Sequence, residues 1–162
     1  MEWGEKKKAE GKIKYFGFSF HDNYQAFEHI LTARKWDFCQ IQLNYMDTEV
    51  QAGIKGYELT EKLGVPLVIM EPVKGGSLTT FADDIANMFK SERPDESLAS
   101  WALRFVGTMP NVKVILSGMS TEEQVADNLK TFNKFEPLTE KDPPHSTMPS
   151  RTISSYRPPP IA

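Results

Sequence analysis

Short apolar runs alternate along the chain with segments whose apolar residues recur at helical spacing. Ile13 to Phe18, Phe38 to Leu43, Val65 to Met70 and Val112 to Leu116 read as four strands of five or six residues. Between the first two, Asn23 to Ala33 puts Tyr24, Phe27, Ile30 and Leu31 on one helical face, with Asp22 or Asn23 as its cap. Val50 to Leu63 does the same with Val50, Ile54 and Tyr57. The third connection is longer and holds two helices. One runs around Leu78 to Phe89 and is ended by Pro94, and the other carries Leu98, Trp101, Ala102, Phe105 and Val106 as one stripe. After the fourth strand, Val125, Leu129 and Phe132 form the apolar stripe of a closing helix. Ser120 or Thr121 would cap it, with Glu123 or Glu122 behind. Helical connections between successive strands imply parallel pairing, so the chain reads as four βα units of an α/β protein.

Two architectures accommodate four such units: an open doubly wound sheet or part of a closed barrel. In the second strand Cys39, Ile41, Leu43 and Tyr45 alternate with Gln40, Gln42 and Asn44, whereas a central strand of a doubly wound sheet is apolar on both faces. That polar stripe favours the inner face of a barrel. The alternative is an edge strand with one wet face.

Composition narrows the partners. The 162 residues carry 19 Lys and Arg against 22 Asp and Glu, a net charge of −3, which does not suit a nucleic-acid or anionic-membrane partner. One Cys excludes a disulfide framework and a cysteine-based zinc or iron–sulfur site within the chain, and the three His are scattered, so no metal is expected. No apolar stretch reaches the roughly 20 residues of a membrane span, and the charged start does not read as a signal peptide, so a cytoplasmic protein is expected. Of 11 Pro, four lie at positions 66, 72, 94 and 110 and seven follow residue 136. Residues 1–136 therefore form the folded unit and 137–162 a proline-rich tail without a core of its own.

In parallel α/β proteins the chemistry sits beyond the C-terminal ends of the strands. Those loops read Ser19-Phe20-His21-Asp22, Asn44-Tyr45-Met46-Asp47, Glu71-Pro72-Val73-Lys74-Gly75-Gly76 and Ser117-Gly118-Met119-Ser120. Glycines 75 and 76 permit close backbone approach, and the start of the helix after Ser120 offers amide donors to an anion. His21 beside Asp22 is a weak candidate dyad, because adjacent residues rarely face each other. Glu71 and Lys74 read more simply as a loop salt bridge than as an acid–base pair, Cys39 as a small buried hydrophobe, and the seven Met as core filler.

Several of these segments, in order and in register, resemble landmarks of the aldo-keto reductases. They are Gly11-Lys12-Ile13-Lys14-Tyr15-Phe16-Gly17-Phe18-Ser19, Gln40-Ile41-Gln42-Leu43-Asn44-Tyr45, Met70-Glu71-Pro72-Val73-Lys74-Gly75-Gly76, and Leu116-Ser117-Gly118-Met119-Ser120 with Glu123-Gln124-Val125 and Asn128. The resemblance covers about residues 9 to 136. It implies a TIM barrel that passes a hydride from NADPH, or sometimes NADH, to an aldehyde or ketone. The matched segments resemble strands five to eight, so the fold implied is the (βα)4 half of that barrel, with residues 1–10 ending the preceding helix. The family draws its catalytic Asp, Tyr, Lys and His from the other half. No residue here matches any of the four, His21 included, so no catalytic residue is carried over.

The resemblance assigns cofactor positions instead. Ser19 and Gln40 stand where the nicotinamide carboxamide is hydrogen-bonded, and Met70 where an aromatic ring usually stacks on it. The Glu71 to Gly75 loop, Val73 included, follows the pyrophosphate, and Asp127 and Asn128 match the adenine contacts. Phe20 replaces a usual Asn, and Gly118 and Gln124 stand where a basic pair normally grips the 2′-phosphate. Losing two charge-assisted contacts of roughly 1.5–3 kcal/mol each should cost much of any NADPH preference. NADP or NAD is a possible cofactor by resemblance, with weak or absent binding expected. Relatives with Phe-Ser-Phe-His-Asp and Ser-Gly-Met-Ser often carry an iron–sulfur domain, which one Cys does not support. Half a barrel also leaves two open sheet edges, so a homodimer or higher homo-oligomer is expected.

Overall fold

The computed structural model describes residues 2–139 and 141–143. Helix α1 (Glu2–Ala9) precedes four strands, β1 (Phe18–Ser19), β2 (Cys39–Gln42), β3 (Leu67–Met70) and β4 (Val112–Ile115). The helices between and after them are α2 (Tyr24–Thr32), α3 (Gly53–Leu63), α4 (Asp83–Glu92), α5 (Leu98–Gly107) and α6 (Glu122–Asn133), with a 3-10 segment at Lys74–Thr79. All three pairings are parallel, and the sheet order is β1-β2-β3-β4. Strand order follows chain order without reversal, which separates this sheet from a doubly wound one with its switch point. Among the described residues no helix is long and apolar enough to cross a membrane.

Pleating sorts the strand residues onto two faces. Cys39, Ile41, Leu67 and Ile69 are buried toward the helices, where they meet Phe27, Tyr57, Trp101 and Val106. Burying each such large apolar side chain contributes about 1.5–3 kcal/mol. Edge-to-face contacts of Phe20 on Phe27, with centroids 5.2 Å apart, and of Phe89 on Trp101, at 5.5 Å, tie α2 and α4 into this core. On the opposite face the register aligns Ser19, Gln40, Val68 and Val114 in one row, and Gln42 and Met70 in the next. That face has no covering layer among the described residues. At Lys113 the ladder skips, since Leu67 pairs with Val112 and Val68 with Val114, leaving Lys113 as a bulge on the free edge.

Several element boundaries differ from the pattern. The first strand begins at Phe18, not Ile13. Opposite residues 13–17 the chain is still the loop before β2, and it offers only Asp37, whose carboxylate accepts the Phe16 N–H at 2.7 Å. Gly17 is required at this approach, because a Cβ there would lie 2.5 Å from the Phe38 carbonyl oxygen. Val50 lies outside α3 and is exposed, since the chain turns through Gln51, at φ 57°, and enters the helix at Gly53 with φ 54°. In the third connection the helix begins at Asp83 rather than Leu78, because left-handed Gly75 and Gly76 confine the segment before it to a 3-10 turn. Asn23 caps α2, as one of the two residues expected there. Helix α6 starts with a reciprocal capping box between Thr121 and Gln124, the residue three positions on, rather than Glu122 or Glu123.

Two further expectations are corrected. Of the described methionines only Met109 is core, while Met46, Met88 and Met119 are exposed and Met70 is half-buried. The α6 stripe of Val125, Leu129 and Phe132 faces outward, with Leu129 56% exposed. The helix instead turns Asp127, Asn128 and Thr131 toward the protein. Of the proline-rich tail read over residues 137–162, Leu138 packs into the core and donates its N–H to Thr108 Oγ1 at 2.9 Å, and Asp142 is buried; residues 140 and 144–162, His145 included, lie outside the described residues.

Candidate functional site

Beyond the C-terminal ends of β3 and β4, a cleft of about 430 Å³ opens between the loop of residues 71–79 and the segment of residues 116–128. Glu71, Val73, Gly75, Gly118, Gln124, Asp127 and Asn128 line it, which are seven of the ten sequence-predicted residues. The other three form a hydrogen-bonded row on the uncovered sheet face. Gln40 Nε2 donates to Ser19 Oγ at 3.3 Å and reaches Met70 Sδ at 3.4 Å. Met70 adjoins Glu71 in the chain. The structure thus gathers seven of the ten positions around the cleft and sets the other three in a row of their own on the sheet face.

The loop at one side of the cleft is strained and pinned. Glu71 and Lys74 have φ of 56° and 51°, a conformation that disfavours side chains. Three residues to which sequence reasoning gave no role hold it: Gln42, Asn44 and Asp47. Buried Asn44 donates through Nδ2 to the Glu71 carbonyl and to Asp47 Oδ2, each at 3.2 Å, and its Oδ1 accepts the N–H groups of Met46 and Asp47 at 3.0 and 2.9 Å. Gln42 Nε2 donates to Asp47 Oδ2 at 3.2 Å, and Lys74 Nζ to Asp47 Oδ1. Burial, the largest influence on Asp47, pushes its carboxyl up, but the hydrogen bonds from Lys74, Asn44 and Gln42 outweigh it and hold the group below its usual range. Lys74 therefore pairs with Asp47 and not with Glu71. Glu71 Oε2 accepts the Gly75 N–H at 2.7 Å.

At the other side, Asp127 accepts the hydroxyl of Ser97, the cap of α5, and Asn128 Nδ2 donates to Ser117 Oγ at 2.9 Å. Gln124 Oε1 accepts the Ser120 and Thr121 N–H groups at 2.7 and 3.3 Å. A Cβ at Gly118 would meet nothing within 4 Å. Among the described residues, the ionisable side chains lining the cleft are Glu71 and Asp127, with no Lys or Arg.

The remaining candidates do not assemble. His21 is exposed, and Asp22 turns its carboxylate to the N–H and Nδ2 of Asn23, at 2.7 and 2.9 Å. Tyr45, in the loop after β2, is buried among Phe89 and Phe105, and that burial pushes its hydroxyl up. Among the described residues no three His, Cys, Asp or Glu are grouped to hold a metal.

The model of the aldo/keto reductase family matches residues 3–96. The chain belongs to the aldo/keto reductase family. Two solved aldo-keto reductases share its fold. One, from Bacillus halodurans in its holo form, superposes with a TM-score of 0.68 at 22% identity, covering 88% of this chain and 52% of its own. Another, from Klebsiella pneumoniae in complex with NADPH, gives 0.66 at 20% identity, covering 97% of this chain and 53% of its own. The chain thus spans about half the length of these aldo-keto reductases, and its four βα units are half of a TIM barrel. A comparison with curated proteins gives no match.

Proposed function

We propose that this half barrel keeps the cofactor side of an aldo-keto reductase, binds NADP or NAD weakly, and does not reduce carbonyl compounds by itself. The observation that carries the reading is the gathering of seven assigned positions around one cleft, with Ser19, Gln40 and Met70 in a hydrogen-bonded row on the sheet face. The solved relative in complex with NADPH has the same fold. In this family a nicotinamide cofactor supplies the hydride. Here Gln40 and Ser19 would orient its carboxamide, and Asn128 and Asp127 would meet its adenine. The fit is better for the nucleoside parts than for the phosphates, because no cation among the described residues lines the cleft and Gly118 leaves open the space where a basic side chain would reach a 2′-phosphate. No residue takes the place of the proton-donating Tyr and its Lys, Asp and His.

Titration with NADPH and NADH tests this reading. Quenching of the protein's fluorescence, without turnover of an aldehyde panel, is the expected result. Flat calorimetry at millimolar cofactor removes the binding, and turnover above background removes the inactivity.

A second observation favours self-association. Val125, Leu129 and Phe132 present an apolar stripe outward on α6, beside the free edge of β4 with exposed Val114 and Leu116. We infer that a second copy covers this surface. The sheet's free edges, β1 and β4, belong to parallel strands, so β4 of one copy can pair with β1 of the other around a two-fold axis.

A further inference from the structure

We propose that Glu71 is a built-in competitor for the negatively charged part of any nucleotide entering the cleft, so that the protein discriminates by ligand charge and favours an uncharged nucleoside over its phosphorylated forms. The role rests on the cofactor reading above and sharpens it.

A phosphate in a glycine loop is held by backbone N–H groups that point at it. In the loop of residues 71–76 the left-handed turns at Glu71, Lys74 and Gly75 curl the chain back on itself, and the Gly75 N–H meets the Glu71 carboxylate at 2.7 Å. A side-chain anion already fills the place of a phosphate oxygen. The N-terminus of α6, across the cleft, repeats the arrangement with a neutral oxygen, since Gln124 Oε1 accepts the N–H groups of Ser120 and Thr121. Backbone donors on both sides are thus engaged by the protein's own oxygens.

Charge acts in the same direction. The ionisable side chains lining the cleft are both carboxylates, Glu71 and Asp127, and Lys74 donates to Asp47 rather than lining the cleft. Like charges facing one opening repel an anionic ligand and leave a neutral one indifferent. A phosphorylated ligand must displace Glu71 from Gly75 and then share the cleft with that carboxylate. A nucleoside that uses Asn128 and Ser117 meets neither obstacle.

Calorimetry of the full chain and of Glu71→Gln, with adenosine, AMP and NADPH at low salt, decides the matter. Gln keeps an oxygen to accept the Gly75 N–H, so the loop retains its support while the charge is lost, and Glu71→Ala additionally frees the amide. Adenosine is expected to bind both proteins equally. AMP should gain about threefold and NADPH about tenfold in Glu71→Gln, and the gains should shrink toward about 0.5 M salt, where charges more than a few ångströms apart are screened. Adenosine bound with an unchanged NADPH affinity, or an equal gain for adenosine and NADPH, overturns the role of Glu71 alone. If none of the three ligands binds either protein, the cofactor reading falls and takes this role with it.

Discussion

Cys39 lies in β2 with its side chain wholly covered by the core, and that burial pushes its thiol up to about 12 from the ordinary 9.0. Since the thiolate is the reactive form, a thiol-specific reagent at pH 8 should leave the folded protein unlabelled and label it fully in denaturant. The same shift has a sign in stability. Above about pH 9 the unfolded chain releases the thiol proton while the folded chain keeps it, so the unfolded state binds fewer protons. Stability should therefore fall between about pH 9 and 12, as read from denaturant midpoints, and less so in Cys39→Ala once its own offset is subtracted. The burial of Cys39 was readable from its alternation with Gln40 and Gln42. The partner of Lys74 was not. Glu71 stood three positions away in the chain, but the loop's left-handed turns gave Glu71 to the Gly75 amide, and folding brought up Asp47 from 27 positions away.

Helices and strands were legible wherever periodicity reflected packing within the chain. In helix α5, Trp101, Ala102, Phe105 and Val106 are buried as their spacing implied and Leu98 is half-buried, while Leu103 and Arg104, off the stripe, are buried as well. Where a local backbone conformation decided a boundary, the pattern overran it, as at Val50 and Leu78. Helix α6 divides the two kinds of information. Its capping signal was readable to within a residue, and the capping box makes Thr121 a defined contribution: Thr121→Ala should cost about 1 kcal/mol and lower the melting temperature by a few degrees in thermal denaturation. Its apolar stripe showed that a helix was present but not which face would be inward. Asp127 and Thr131 pack inward through hydrogen bonds to Ser97 and to the helix backbone, while Leu129 and Phe132 stay outside. A helix stripe reports that a surface seeks cover without specifying which chain provides it.

Among the described residues, the half barrel has an uncovered sheet face and two free edges that a closed barrel lacks. Association of two copies would cover both, and the expected mass in solution is twice 18.4 kDa. The double substitution Leu129→Ser and Phe132→Ser removes two side chains already exposed in one copy. It should leave the fold intact by circular dichroism while shifting the mass measured by light scattering toward a single chain. A native protein that is strictly monomeric overturns the self-association. Order and spacing of strands gave four parallel βα units and left an open sheet or part of a barrel, and it was the resemblance to the aldo-keto reductases that implied the half barrel. What covers the open surfaces was not legible, since an apolar stripe in one sequence does not specify the surface that meets it.

The bulge at Lys113 sets a limit on that openness. A flat row of unpaired amides and carbonyls invites strand after strand, the growth habit of fibrils. Along β4 the extra residue breaks the hydrogen-bonding rhythm, and the Lys113 ammonium, anchored to the Pro110 carbonyl at 2.7 Å, sets a positive charge on the rim. An incoming strand must match an irregular register and tolerate that charge. A molecule with an exposed edge is thereby disposed toward finite, shape-matched pairing and away from runaway polymerisation.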